Sequence, residues 1–148
     1  MNRRDFNLQL QRSAIALALA PWLDTVAAVS DKPRTWHSNP FALGVASGRP
    51  RADSIVLWTR LLFSEEDRAA GTDALRVHVE VFADAALQRR VQKIEVVTDA
   101  TRGHSVHVHL QRLQPSTDYW YRFQQGDARS PVGHTRTAPA LNAEVREL

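Results

Sequence analysis

An all-β chain is predicted, folded as an antiparallel β-sandwich of about seven short strands. Three observations carry that prediction: apolar and polar residues alternate, turn residues bracket each alternating run, and the middle of the chain has no proline. Alternation is strictest in residues 76–82, where Val77, Val79 and Val81 fall on one face and His78 and Glu80 on the other. A period of two means a sheet with one buried and one wet face. Gly44, Gly48, Gly103, Gly126 and Gly133 stand at or beside the ends of such runs, as do Pro40, Pro50, Pro115, Pro131 and Pro139. None of the prolines lies between Arg51 and Gln114, where strands need every backbone N–H. With 148 residues, 43% apolar and 24% charged, the chain suits one globular domain. It contains no cysteine, which excludes disulfides, thiolate metal ligands and a thiol nucleophile. The net charge is only +3. No basic cluster of the kind nucleic-acid binding requires lies beyond the N-terminus, so no nucleic-acid partner is expected.

The first 28 residues read as an N-terminal signal helix. A basic start at Arg3 and Arg4 leads into a mild apolar run from Ser13 to Leu23, and small residues Val26, Ala27 and Ala28 follow. The apolar run is about half the length a bilayer crossing needs, so no stable membrane span is expected. Arg3-Arg4-x-Phe6 resembles the twin-arginine export signal, departing from it at Asn2 and at Asn7-Leu8. That resemblance implies the twin-arginine machinery as a partner, cleavage after Ala28 and a periplasmic or secreted location. Residues 29–38 read as a polar linker. Strands are then expected at 54–61, 76–82, 94–98, 105–110, 119–123 and 132–137. Residues 64–73 read as an acidic surface loop, with Glu65-Glu66-Asp67 solvated, and residues 84–91 as one helical turn capped by Asp84.

Leu113-x-Pro115-x-Thr117-x-Tyr119 precedes the strand Tyr119-x-Tyr121-x-Phe123. This spacing reads as a tyrosine corner, in which the tyrosine hydroxyl bonds back to the loop that turns over the sandwich edge. It narrows the fold to an Ig-like, and more specifically a fibronectin type III-like, sandwich. These four residues are structural.

Chemistry is sparse. His107 and His109 share a strand face, and His78 would join them if its strand lay in the same sheet, giving three imidazoles for zinc. Alternation on a wet face explains the same histidines without metal. Gly44-Val45-Ala46-Ser47-Gly48 lacks the lysine and the following helix of a phosphate loop, and there is no Gly-x-Ser-x-Gly elbow. Trp120 and Arg122 read as an outer face with one cation–π contact.

Three separated blocks, in order, carry a family resemblance. They are Asn39-Pro40-Phe41-x-Leu43-Gly44-Val45-Ala46-Ser47-Gly48 continuing to Asp53-Ser54-x-Val56-Leu57-Trp58-Thr59-Arg60, then the corner and its strand, then Ser130-Pro131-x-Gly133-x-Thr135-Arg136-Thr137-Ala138-Pro139. Together they resemble the N-terminal domain of the PhoD-like phosphatases and phosphodiesterases, the alkaline phosphatase D family, over residues 39–139. Arg49 departs from the family's usual aspartate. The resemblance implies a two-part exported enzyme whose second part, after the Thr-x-Thr-Ala-Pro strand, is a metallophosphatase domain binding iron and calcium. Its first metal ligand is the cysteine of a Phe-x-x-Ser-Cys motif. Here Pro139 is followed by a tail, residues 140–148, without that motif, so no catalytic or metal residue of the family transfers to this chain and no cofactor is expected in it. The expectation is a noncatalytic module, truncated or a fragment, that packs on the catalytic domain as its partner; the alternative is a stand-alone secreted binding module.

Overall fold

The structure, a computed structural model, describes residues 34–71 and 74–140. Among the described residues there are eight strands. They are β1 (Val45–Gly48), β2 (Ile55–Arg60), β3 (Leu75–Phe82), β4 (Arg90–Thr98), β5 (Ser105–Leu110), β6 (Asp118–Gln125), β7 (Ala128–Arg129) and β8 (Gly133–Arg136). Of these, β2, β5, β6 and β8 show the expected alternation. Every pairing is antiparallel. One sheet has three strands in the order β1-β2-β5. The other has five, β4-β3-β6-β7, with β8 also paired to β6. The last predicted strand, 132–137, is β8, and β7 is a short strand that the alternation does not announce.

The inner faces of the two sheets make one core. Ile55, Leu57 and Thr59 of β2 and Val106, Val108 and Leu110 of β5 face Val77, Val79 and Val81 of β3 and Tyr119, Tyr121 and Phe123 of β6, with Phe41, Leu61 and Leu113 closing the ends. Each large apolar side chain removed from water this fully contributes roughly 1.5–3 kcal/mol. Thr59, wholly buried, donates its hydroxyl to the Gly44 carbonyl at 2.8 Å. Gly133 lets β8 lie flush against β6, since a Cβ there would stand 2.3 Å from the Tyr121 ring.

Two local expectations change. Residues 64–73 are not simply a solvated loop. Ser64 caps a short helix, α1 (Glu65–Ala69), by accepting the Asp67 N–H, and this turns Asp67 inward to complete burial. Residues 84–91 form no helix. Asp84 accepts the N–H groups of Gln88 and Arg89 at 3.1 and 2.6 Å, which closes a tight turn and starts β4 at Arg90.

At the corner, the Tyr119 hydroxyl accepts the Gln114 N–H at 2.9 Å, and the Thr117 hydroxyl donates to the Pro115 carbonyl at 2.8 Å. Leu113 is buried in the core, and its N–H reaches across to the Asp53 carbonyl. Tyr119→Phe leaves the Gln114 N–H without its acceptor while keeping the ring packed. We predict a loss of about 1–3 kcal/mol, seen as a lower urea midpoint at unchanged slope; an unchanged midpoint would show that the bond adds nothing.

Candidate functional site

The expected export residues Arg3, Arg4 and Phe6 and the expected cleavage residue Ala28 lie outside the described residues. The histidines His78, His107 and His109 do not meet. His78 is on β3 of the five-stranded sheet, beside Glu95, whereas His107 and His109 point outward from β5 of the three-stranded sheet on the opposite side of the sandwich. The zinc arrangement is thereby overturned. Among the described residues no three His, Asp or Glu side chains come together as a metal site.

The polar groups that do converge sit at one pole, around the segment that enters the domain. Residues 34–38, the end of the expected linker, are bonded into the fold. The backbone of Trp36 donates to Asp127 Oδ1 at 3.1 Å, and its indole N–H reaches the Gln125 carbonyl and side-chain oxygens at 3.0 and 2.7 Å. Asp127 N–H returns a bond to the Arg34 carbonyl at 3.1 Å. The Arg34 guanidinium donates to the carbonyls of Gly71 and Asp67 at the end of α1 and lies over the rings of Trp36 and Phe63, 4.5 and 5.1 Å from their centroids. Gly126 makes the approach possible. Its φ is +56°, and a Cβ would fall 1.9 Å from the Arg34 oxygen.

Asp67 ties this entry segment to α1. Its carboxylate accepts the His37 N–H at 3.1 Å, the His37 ring at 3.2 Å and the Ser64 hydroxyl at 2.9 Å. Burial alone raises the Asp67 pKa. The hydrogen bonds from His37, Ser64 and Ser38 outweigh burial and hold it at about 2. Serine, histidine and aspartate are the residue types of a hydrolytic triad, but their order is wrong for one. A triad places the imidazole between hydroxyl and carboxylate so that it can take the hydroxyl proton. Here the carboxylate is in the middle, receiving bonds from both, and Ser64 Oγ is committed to the helix cap. The arrangement fastens backbone and supplies no general base. Ser64-x-x-Asp67 is a capping signature that the sequence does display; nothing local in the sequence points to His37 as its partner. His104, behind Phe63 at 4.5 Å between ring centroids, is buried with Nδ1 unpartnered among the described residues, and burial lowers its pKa.

The outer faces of the two sheets differ in charge. On the five-stranded sheet, Glu80 is held by Arg90 and Arg122 at 2.6 and 2.8 Å, Arg76 by Glu95 at 2.6 Å, and Asp118 by His134 and Arg136 at 3.0 and 2.6 Å. Burial raises the Glu80 pKa, but bonds from the two arginines leave it lowered overall. Arg122 also covers the Phe82 ring at 5.5 Å, the cation–π contact expected there. The outer face of the three-stranded sheet carries Ala46, Gly48, Val56, Trp58, His107 and His109, with Arg60 only at its far end.

Because the folded-state pKa of Asp67 is depressed, its contribution is full above the unfolded value of about 4 and is lost as pH falls towards 2, amounting to about 2 kcal/mol. Asp67→Asn is therefore predicted to lower stability at pH 7 by about that amount and to flatten the stability profile between pH 4 and 2. Denaturant titrations across that range check it, and an unaltered acid limb would refute the assignment.

Comparison with known proteins agrees with this architecture. The family described as PhoD-like phosphatase, N-terminal domain, matches residues 26–139. Alkaline phosphatase D of Bacillus subtilis (strain 168) is 42% identical over 115 residues, which is 76% of this chain and 20% of that protein. The solved structure of PhoD superposes with a TM-score of 0.70 at 42% identity, covering 76% of this chain and 22% of that one. The chain thus spans about a fifth of the length of these relatives. The fibronectin type III domain of human contactin 1, 14% identical, covers 80% of this chain and 93% of its own with a TM-score of 0.50, a likeness of fold alone. On the strength of the family match across the whole sandwich, the chain belongs to the PhoD-like phosphatase N-terminal domains.

Proposed function

We propose that the chain is the noncatalytic N-terminal module of an exported PhoD-like phosphatase or phosphodiesterase, and that it packs against the metallophosphatase domain of such an enzyme. The observation that carries this reading is the 42% identity to alkaline phosphatase D over nearly the whole sandwich, within a relative of which the chain spans a fifth. Residues 1–28 serve as a twin-arginine leader cleaved after Ala28, and the strap that follows is bonded to the sandwich from Arg34 onward. Iron and calcium belong to the catalytic domain. The described residues offer no ligand set that fits either ion, and the one Ser-His-Asp grouping is wired as a clamp.

Two measurements test the reading. The purified chain, given iron and calcium, is expected to hydrolyse neither p-nitrophenyl phosphate nor bis-p-nitrophenyl phosphate above background; metal-dependent turnover would overturn it. Replacing Arg3 and Arg4 together by lysine is expected to keep the full chain in the cytoplasm at its uncleaved mass. Unchanged processing in cell fractions would exclude the twin-arginine route.

A further inference from the structure

We propose that the outer face of the three-stranded sheet is where the metallophosphatase domain docks. The face consists of Ala46 and Gly48 on β1, Val56 and Trp58 on β2, and His107 and His109 on β5. This rests on the module reading above and adds the surface that makes the contact.

Register defines the face. Trp58 lies between Ala46 and His107, and Val56 between Gly48 and His109, so the six side-chain positions form two adjoining rows. Their neighbours Leu57, Val106 and Val108 point into the core. Trp58 is half-buried, 6.2 Å from the His107 ring between centroids. Ala46 and Gly48 are exposed and too small to wall off the indole. A half-buried flat aromatic flanked by small residues and imidazoles matches the composition of an interface centre, where tryptophan is enriched.

The opposite face is built for water. Its acids are paired with arginines or histidines across strands, so covering it would desolvate several ion pairs at a cost that their mutual attraction does not recover. The exposed large aliphatic residues Leu43, Leu62 and Val132 lie in separate loops and Val91 and Val97 at opposite ends of β4, single residues of a kind that folded domains tolerate at their surface.

The occupant follows from where the described chain leaves the sandwich. β8 belongs to the five-stranded sheet, but directly after it the Ala138 N–H bonds to the Arg51 carbonyl at 3.0 Å, in the turn joining β1 to β2. At Ala138 the chain therefore touches the hairpin of the three-stranded sheet, while the Ala138 carbonyl still accepts the Ser116 N–H of the corner that leads into β6. The family match ends at residue 139, and four-fifths of the B. subtilis relative lies outside the matched segment. A domain tethered at that hairpin meets the β1-β2-β5 face at high effective concentration.

The absence of cysteine from the chain permits a direct test. Ala46→Cys, His107→Cys and, on the other sheet, Val97→Cys are labelled with a maleimide, each in the isolated chain and in a chimaera where the chain replaces the matching segment of B. subtilis alkaline phosphatase D. Labelling is read by mass spectrometry of the peptides bearing each site. Positions 46 and 107 are expected to react at least tenfold more slowly in the chimaera, and position 97 equally in both. Slowing at 97 but not at 46 and 107 would overturn the proposed face while leaving the module reading intact. Equal rates at all three sites, with separate unfolding transitions for the two parts, would overturn both. Slow reaction at 46 and 107 already in the isolated chain, with a dimeric native mass, would assign the face to a second copy and overturn the proposal.

Discussion

Val77, Val79 and Val81 of β3 and Leu57, Val106 and Leu110 of the facing sheet lose their contact with water together, and that shared burial sets the terms for the rest of the molecule. A strand that commits its odd residues to the core commits its even residues to the outside. Two faces with independent chemistry result. On the five-stranded sheet, the outward positions became a lattice of ion pairs around Glu80. On the three-stranded sheet, they are small residues, Val56, Trp58 and imidazoles, with Arg60 at the far end. The core also fixes both poles, because the loops joining the sheets must cover its open ends. The tyrosine corner does this at one pole and the Trp36–Phe63 pair at the other.

The sequence disclosed what is local. Strands were legible because a period of two is a property of adjacent residues, and the corner because Tyr119 and Gln114 are five positions apart. Features depending on which strand joins which sheet were not legible. His78 shares an alternation pattern with His107 and His109, yet pairing of β3 with β4 and β6 carries it to the far side of the sandwich. The acidic run at Glu65-Glu66-Asp67 reads as solvated by composition alone. The Ser64 cap rotates its third member inward, where His37, 30 residues upstream, completes its bonding. The entry segment looked like a linker for the same reason, since its partners Gln125 and Asp127 lie 89 and 91 residues away from Trp36.

In the proposed role as a module of a larger enzyme, the domain needs little chemistry of its own. Its polar clusters are spent on fastening backbone: Asp67 on the entry segment, Asp84 on a turn, Glu80 on cross-strand arginines. Carboxylates engaged in this way stiffen the sandwich, which suits it to holding another domain in place.

The strap at Arg34 has a consequence in time as well as in space. Its bonds to Asp67 and Gly71 join it to α1, whereas those to Gln125 and Asp127, at the turn that closes the hairpin of β6 and β7, wait until that hairpin has been synthesised. During synthesis the partners of residues 34–38 on α1 therefore emerge early, and those on the turn between β6 and β7 only with the late strands. A chain arrested before Gln125 keeps only the half of the strap that α1 supplies, and the completed fold adds the other half.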